Sequence, residues 1–247
     1  MKRLRRAPPS AHARSRGDQA RQALITAGLR LFAQQGLDGA TTRDIAQASG
    51  QNIAAIPYYF HSKQGLYLAV AHWIAKTLSH SFNPLREECE RHLADADATP
   101  QAALALIQRA LAHLCQLMIQ PQSLHLSQVI AREQMFPSAA SPILHQHFIT
   151  PLHTLMTRLV SRYVGLDATH PSAILHTHAL IGQVLAFRMA RETLLTRTGW
   201  SQIGMEQAQQ IHQVVHRHTE LLLTGLRQQV DAAQPTALRG TRGINDE

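Results

Sequence analysis

A chain of 247 residues, 45% of them apolar and with a formal net charge of +8, can bury one or two ordinary cores. Two cysteines exclude a disulfide framework, and no apolar run approaches the ~18 residues expected of a membrane span. The charge is uneven: residues 1–63 hold ten Lys/Arg against three Asp, net +7, whereas residues 64–247 carry net +1, which places a positive field on the first quarter, where a phosphate-facing surface would need it.

Residues 1–17 carry Lys2, Arg3, Arg5, Arg6, Arg14 and Arg16 with no acid and two prolines. That composition predicts a disordered basic arm able to lie along phosphates or in a minor groove. It lacks the apolar region of a secretory signal. With only two cysteines, both in helical patterns, a reducing cytoplasm is the expected compartment.

The spacing from Asp18 to Gln35 predicts a helix capped by Asp18. Leu24, Ala27 and Leu31, with Ala20, Ala23, Gly28 and Phe32 beside them, form its inward stripe. Gly36 is the expected left-handed C-cap. Then comes TTRDIAQASGQNIAAIPYYFHSK, Thr41 to Lys63. It reads as two short helices around a turn. Thr41 or Thr42 caps the first, Ile45 and Ala46 face inward, and Gly50 takes the turn. Asn52 caps a second helix from Ile53 to about Tyr59, and Ser62 caps the next. A helix-turn-helix places its second helix in the DNA major groove.

Beyond it, Lys63 to about His80 predicts a connecting helix with Leu66, Val70, Trp73, Ile74 and Thr77 inward. Asn83-Pro84, Thr99-Pro100, Ser141-Pro142 and His170-Pro171 each pair a capping residue with a proline suited to the first helical turn. They predict helices near 84–96, 100–119, 122–135, 142–164 and 171–196. A last helix near 205–229 follows the Thr198-Gly199-Trp200 break, and a polar tail begins at Asp231. The whole is all-α. Its expected domains are the arm 1–17, a helix-turn-helix domain 18–78, a helical domain 79–230 and a disordered tail 231–247.

TTRDIAQASGQNIAAIPYYFHSKQGLY, with DQARQALITAGLRLFAQQGLDGAT before it, closely resembles the DNA-binding segment of TetR-type transcriptional regulators over about residues 18–78. REQMFPSAA, SPILHQHFITPLHTLMTRLV and ILHTHALIGQVLAFRMARETLLTRTGW resemble the CecR-type subgroup. The resemblance implies phosphate contacts from Thr42, Tyr58 and Lys63, and base contacts from Arg43 and the exposed face of the second helix. It also implies a homodimer that pairs the helices near 171–196 and 205–229. Control of transport or drug-sensitivity genes, by release of an operator when a small molecule binds, is implied in the same way. Gln51, Asn52, Ile53, Ala54, Ala55 and Tyr59 complete the expected DNA-binding set. Pro57 departs from the family pattern, and a 3₁₀ turn or kink is expected there.

Effector-pocket candidates are the polar groups set in apolar helices: His113, Arg132, Glu133, His178, Arg188 and Glu192. Structural ion pairing is the other reading of Arg132-Glu133 and of Arg188 and Glu192, the latter four apart on one helix face. Sixteen histidines invite a metal. His145/His147, His176/His178 and His216/His218 lie two apart, on opposite sides of a helix. His212/His216 has usable spacing but no carboxylate partner, so no metal or cofactor is expected. No nucleophile elbow or phosphate loop is present, so no catalytic residue is assigned. The rival readings are a degenerate DNA binder, motivated by Pro57, and a small-molecule sensor acting through protein contacts alone.

Overall fold

The structure is a computed structural model that describes residues 11–119 and 123–233. Every regular element among the described residues is helical. The chain divides into two compact units. One comprises the chain up to Ser81 and the segment ending at Pro151; the other comprises Phe82–Ile119 and the chain from Leu152 onward. The segment around 123–151 was expected in the second domain, and it belongs instead to the unit of the helix-turn-helix.

The first helix, α1 (Ala11–Gly39), begins seven residues before Asp18. AHARSRG is rich in Ala and Arg, strong helix formers, and needs no cap at Asp18. The rest of the basic arm lies outside the described residues. Gly36 interrupts α1 at φ 76° and ψ 179°, a region that only glycine adopts freely, rather than the left-handed helical cap expected. Leu24, Ala27, Leu31 and Phe32 are buried as their spacing predicts. Helix α2 (Thr42–Ser49) and helix α3 (Ala55–Phe60) follow.

Helix α4 (Lys63–Ala94) runs through Pro84 without the break expected at Asn83. Leu66, Val70, Ile74, Leu78, Phe82 and Cys89 are buried along it. An apolar row this long outweighs the one hydrogen bond that Pro84 removes. Trp73 is half-buried and Thr77 exposed, while Tyr67, Ala71 and Ala75 take the inward places.

Helix α5 (Pro100–Ile119) starts at the predicted Thr99-Pro100 signal, with the Thr99 hydroxyl accepting from the Ala102 N–H at 3.3 Å. It is long and apolar enough, by length and composition, to cross a membrane, contrary to the sequence reading. Its row Ala103, Leu106, Ile107, Ala110, Leu111 and Leu114 is buried, and it packs on the helices named α9 and α11 below. It is a core helix.

Helix α6 (Leu124–Met135) packs on α1. Helix α7 (Ser141–Leu144) leads through a π-helical turn, His145–Ile149, into α8 (Thr150–Val164). Pro151 has no N–H for the carbonyl four residues back. That carbonyl, on His147, accepts from the Ser79 hydroxyl at 2.7 Å.

Helix α9 (Pro171–Met189) is capped by His170, whose Nδ1 accepts from the Ser172 N–H at 3.2 Å. The single helix expected over 171–196 breaks at Ala190, and α10 (Arg191–Thr198) ends at Gly199 in the left-handed conformation. Helix α11 (Met205–Ala233) buries Ile211, Val215, Thr219 and Leu223, one row at four-residue spacing. The buried Thr177 and Thr219 hydroxyls donate to the carbonyls of Ala173 and Val215 in their own helices, so neither is left unsatisfied.

Candidate nucleic-acid interface

The corner between α2 and α3 is built from local caps. Thr41 is extended, and its hydroxyl oxygen accepts from the Asp44 N–H at 3.1 Å while its proton goes to the Asp44 carboxylate at 2.6 Å. This satisfies one orphan donor of α2 and places a negative charge where the helix dipole favours it. Gly50 ends α2 at φ 66°, and the Gln51 N–H reaches back to the Ala46 carbonyl at 3.0 Å. Ile45 and Ala46 on α2 and Ile56 and Phe60 on α3 are buried, so the opposite faces are turned outward.

Helix α3 begins two residues later than its sequence suggests. The Asn52 side-chain oxygen accepts from the Ala54 N–H at 2.9 Å. The Ala55 and Ile56 N–H groups bond three residues back, to Asn52 and Ile53. These three-residue bonds lie ahead of Pro57, not at it, where a 3₁₀ turn or kink was expected; the Tyr58 and His61 N–H groups bond four residues back. Pro57 therefore falls in the first turn of α3, where no N–H is required, so the anticipated mid-helix penalty does not arise.

Arg43, Asn52, Ile53, Ala54 and Tyr58 are exposed; Thr42, Gln51, Ala55, Tyr59 and Lys63 are half-buried. Ile53 is 51% and Tyr58 77% exposed. The Tyr58 ring meets the Tyr59 edge, centroids 4.8 Å apart. Arg21 of α1 lies over the Phe60 ring at 5.3 Å, bracing the far end of α3. Lys63 has a second task that its charge did not reveal. Its ammonium donates to the carbonyls of Ala40 at 3.0 Å and Asp38 at 3.3 Å, tying the start of α4 to the chain entering α2.

Between α3 and α4, His61 holds φ 65° and the Ser62 N–H bonds the Phe60 carbonyl at 2.8 Å. Ser62 caps α4 through the Gly65 N–H at 2.9 Å, as expected. A Cβ at Gly65 would collide with the Phe60 carbonyl oxygen, so this corner excludes any larger residue.

The six pocket candidates fall in both units. Arg132 and Glu133 lie in the unit of the reading head; His113, His178, Arg188 and Glu192 lie in the other. Glu133 is only 3% exposed. Its carboxylate accepts from the Tyr67 hydroxyl at 2.6 Å, the Ser138 N–H at 3.0 Å and the Ser138 hydroxyl at 2.8 Å. Burial, with the Glu133 hydrogen bond and charge added, pushes the Tyr67 phenol well above its ordinary pKa. Arg132 lies over Gly36, where a Cβ would come within 3.0 Å of its Nη1. The helix end is thus an anchor for α6, a role the sequence did not reveal because Tyr67 is sixty-six residues away.

In the second unit, His113 packs edge-on against Phe82 and His153 lies near His178, with centroids 4.4 and 5.8 Å apart. Burial lowers the pKa of His113, and burial together with the neighbouring His178 lowers that of His153. The break at Ala190 puts Arg188 and Glu192 on different helices, and Glu192 meets Arg191 at 3.4 Å. Burial pushes the Cys89 and Cys115 thiols up to about 11, so neither is a thiolate at neutral pH. No group of three or more potential metal ligands occurs among the described residues.

A helix-turn-helix behind a basic arm and ahead of a helical second unit defines a class of DNA-binding regulator, and the comparisons agree. Residues 24–70 match the family described as bacterial regulatory proteins, tetR family, and residues 100–226 match the C-terminal domain of the HTH-type transcriptional dual regulator CecR. The chain belongs to the TetR family of transcriptional regulators, in its CecR-like branch. It is 46% identical over 213 residues to the HTH-type transcriptional dual regulator CecR of Shigella flexneri, covering 86% of this chain and 95% of that one. A shorter stretch of 51 residues, 21% of this chain and 27% of the relative, is 39% identical to the transcriptional repressor AcnR of Corynebacterium glutamicum.

Among solved structures, AibR in complex with isovaleryl coenzyme A and operator DNA shares the fold with a TM-score of 0.58 at 13% identity, over 80% of this chain and 96% of that one. A TetR transcription regulator from Haloarcula marismortui does so at 0.55 and 17% identity, over 83% and 97%. These relatives are regulators, not enzymes.

Proposed function

We propose that the chain acts in the cytoplasm as a homodimeric, ligand-responsive repressor of transport or drug-sensitivity genes. It holds a pseudo-palindromic operator and releases it when a small molecule binds the second unit. The observation that carries this reading is a solvent-exposed apolar face on α9 and α11. Helix α9 buries only Ala173, Thr177, Leu180 and Val184. On its outer side Leu175 is 67% exposed, and Leu221 on α11 is 60% exposed. Ala179, Leu180, Gln183, His218, Leu221 and Leu222 line an open groove of about 410 Å³ between the two helices. A second copy presenting the same surface would cover it by two-fold symmetry, as a four-helix bundle. Two reading heads would then meet successive major grooves, ~34–36 Å apart.

His113, His178, Arg188 and Glu192 are the polar candidates that the second unit offers an effector. A ligand shifts the operator equilibrium only by its differential affinity for the two dimer states. The test is footprinting of the purified protein on the DNA upstream of its own gene, with scrambled DNA at the same salt, followed by a ligand-release screen. A protected palindrome released by one ligand class supports the proposal. Equal affinity for both DNAs overturns it.

A further inference from the structure

We propose that this reading head identifies its half-site chiefly through thymine C5 methyl groups, with Ile53 as the residue that reads them. The inference rests on the operator-binding role above and concerns what the head recognises. In the major groove only thymine offers a methyl group; the other bases offer hydrogen-bond donors and acceptors alone. The outward surface from residue 53 to residue 58 holds Ile53, Ala54, Pro57 and Tyr58. Of these only Tyr58 carries a polar side-chain atom.

Two features narrow the reading further. Paired recognition of adenine by an asparagine needs both the amide oxygen and the amide nitrogen. The Asn52 oxygen is engaged by the Ala54 N–H at 2.9 Å, in the bond that starts α3. That bond uses one lone pair of the Asn52 oxygen and holds its side chain against the turn. Lys63 is engaged by the Ala40 and Asp38 carbonyls. Side-chain hydrogen bonding to base edges is open to Arg43, which is exposed, to Gln51, whose Nε2 makes only a long 3.5 Å contact with the Ser49 carbonyl, and to the exposed Asn52 amide and Tyr58 hydroxyl.

Ile53 stands out in this setting. It sits on the turn ahead of α3, 51% exposed. Its neighbours Asn52 and Ala54 are exposed too, so it supports no core. An exposed, β-branched apolar side chain at such a place gains free energy only when something apolar covers it. A thymine methyl is the apolar group that a major groove presents.

The experiment uses the full chain and the operator found by footprinting. Each thymine in the protected half-sites is replaced singly by deoxyuridine, which keeps the pairing and removes only the methyl. At one or two positions per half-site the affinity should fall about fourfold, the value of one buried methyl. Ile53→Ala, at an exposed position that leaves the fold intact by circular dichroism, should weaken the thymine operator by a similar factor. It should also be indifferent to deoxyuridine at those positions. Uniform tolerance of deoxyuridine by a protein that still prefers its operator to scrambled DNA overturns the inference and leaves the operator role standing. So does a deoxyuridine effect that persists unchanged in Ile53→Ala. No preference for any operator overturns both.

Discussion

In the unit of the reading head, a buried carboxylate, a lysine ammonium and side-chain caps fix the corners between short helices. In the second unit, long helices meet along apolar rows, and the outer row of α9 and α11 is left uncovered. The contrast follows from what each must do. Short helices such as α3, with six residues, bury too little to fix their own orientation, so directional hydrogen bonds supply it. The dimerisation face proposed for α9 and α11 would need area rather than direction, and apolar burial supplies area.

The first way to break the contrast is Glu133→Ala. It strands the Tyr67 hydroxyl and both Ser138 donors, each costing about 1–3 kcal/mol when buried without a partner. We expect a loss near the upper end of that range, read by urea denaturation. The isosteric Glu133→Gln should recover part of it. A loss near zero would mean that apolar packing alone seats α6 on the reading head.

Next in size is Leu221→Asp. A charge on the uncovered face costs about 2–3 kcal/mol if a second copy buries it. Sedimentation should show monomers, and operator affinity should fall at least tenfold, with thermal stability of the monomer little changed. An unchanged dimer would place the interface elsewhere.

Acid should separate the two units. The ordinary histidine pKa is 6.5, and burial lowers it in folded His113 and His153. The unfolded chain then binds more protons, so this stability is complete above about 6.5 and is lost as pH falls through the lower folded values. Trp73 and Trp200 fall one in each unit. Single-tryptophan variants should show the Trp200 signal weakening first between neutral and mildly acid pH. His113→Gln should flatten that dependence, and parallel signals would refute it.

The smallest effect is expected at Pro57. Because α3 starts late, Pro57→Ala should change stability by no more than about 0.5 kcal/mol. A change approaching the ~3 kcal/mol of a mid-helix proline would show that α3 extends back through Ile53.

What the sequence made legible was local. Thr41, Gly50 and Ser62 act where their chemistry predicts, because a cap or a left-handed turn involves neighbours three or four residues away. Thr99-Pro100 and His170-Pro171 begin helices for the same reason, whereas the helix at Ser141-Pro142 starts without a side-chain cap. Asn83-Pro84 fails because the decision there rests with a buried row spanning Leu66 to Cys89, not with the dipeptide. The late start of α3 was hidden in the Asn52 side chain, which can cap either one residue on or two. A charged pair in an apolar helix such as Arg132-Glu133 looks alike in sequence whether it faces a cavity or anchors the helix. The Glu133–Tyr67 hydrogen bond, which speaks for the anchor, joins residues too far apart in the chain to be read there. The break at Ala190 has no marker in the sequence, since ARETLL is a good helix former throughout.

The Ser79 hydroxyl serves a carbonyl that Pro151 left without a donor. The two positions are therefore energetically linked although seventy-two residues of chain separate them. Replacing Ser79 by Ala should cost about 0.5–1.5 kcal/mol in the present sequence and less beside Pro151→Ala, where a backbone amide can serve the same acceptor. Related chains that lack one of these residues should tolerate loss of the other, so the pair is expected to drift through evolution together.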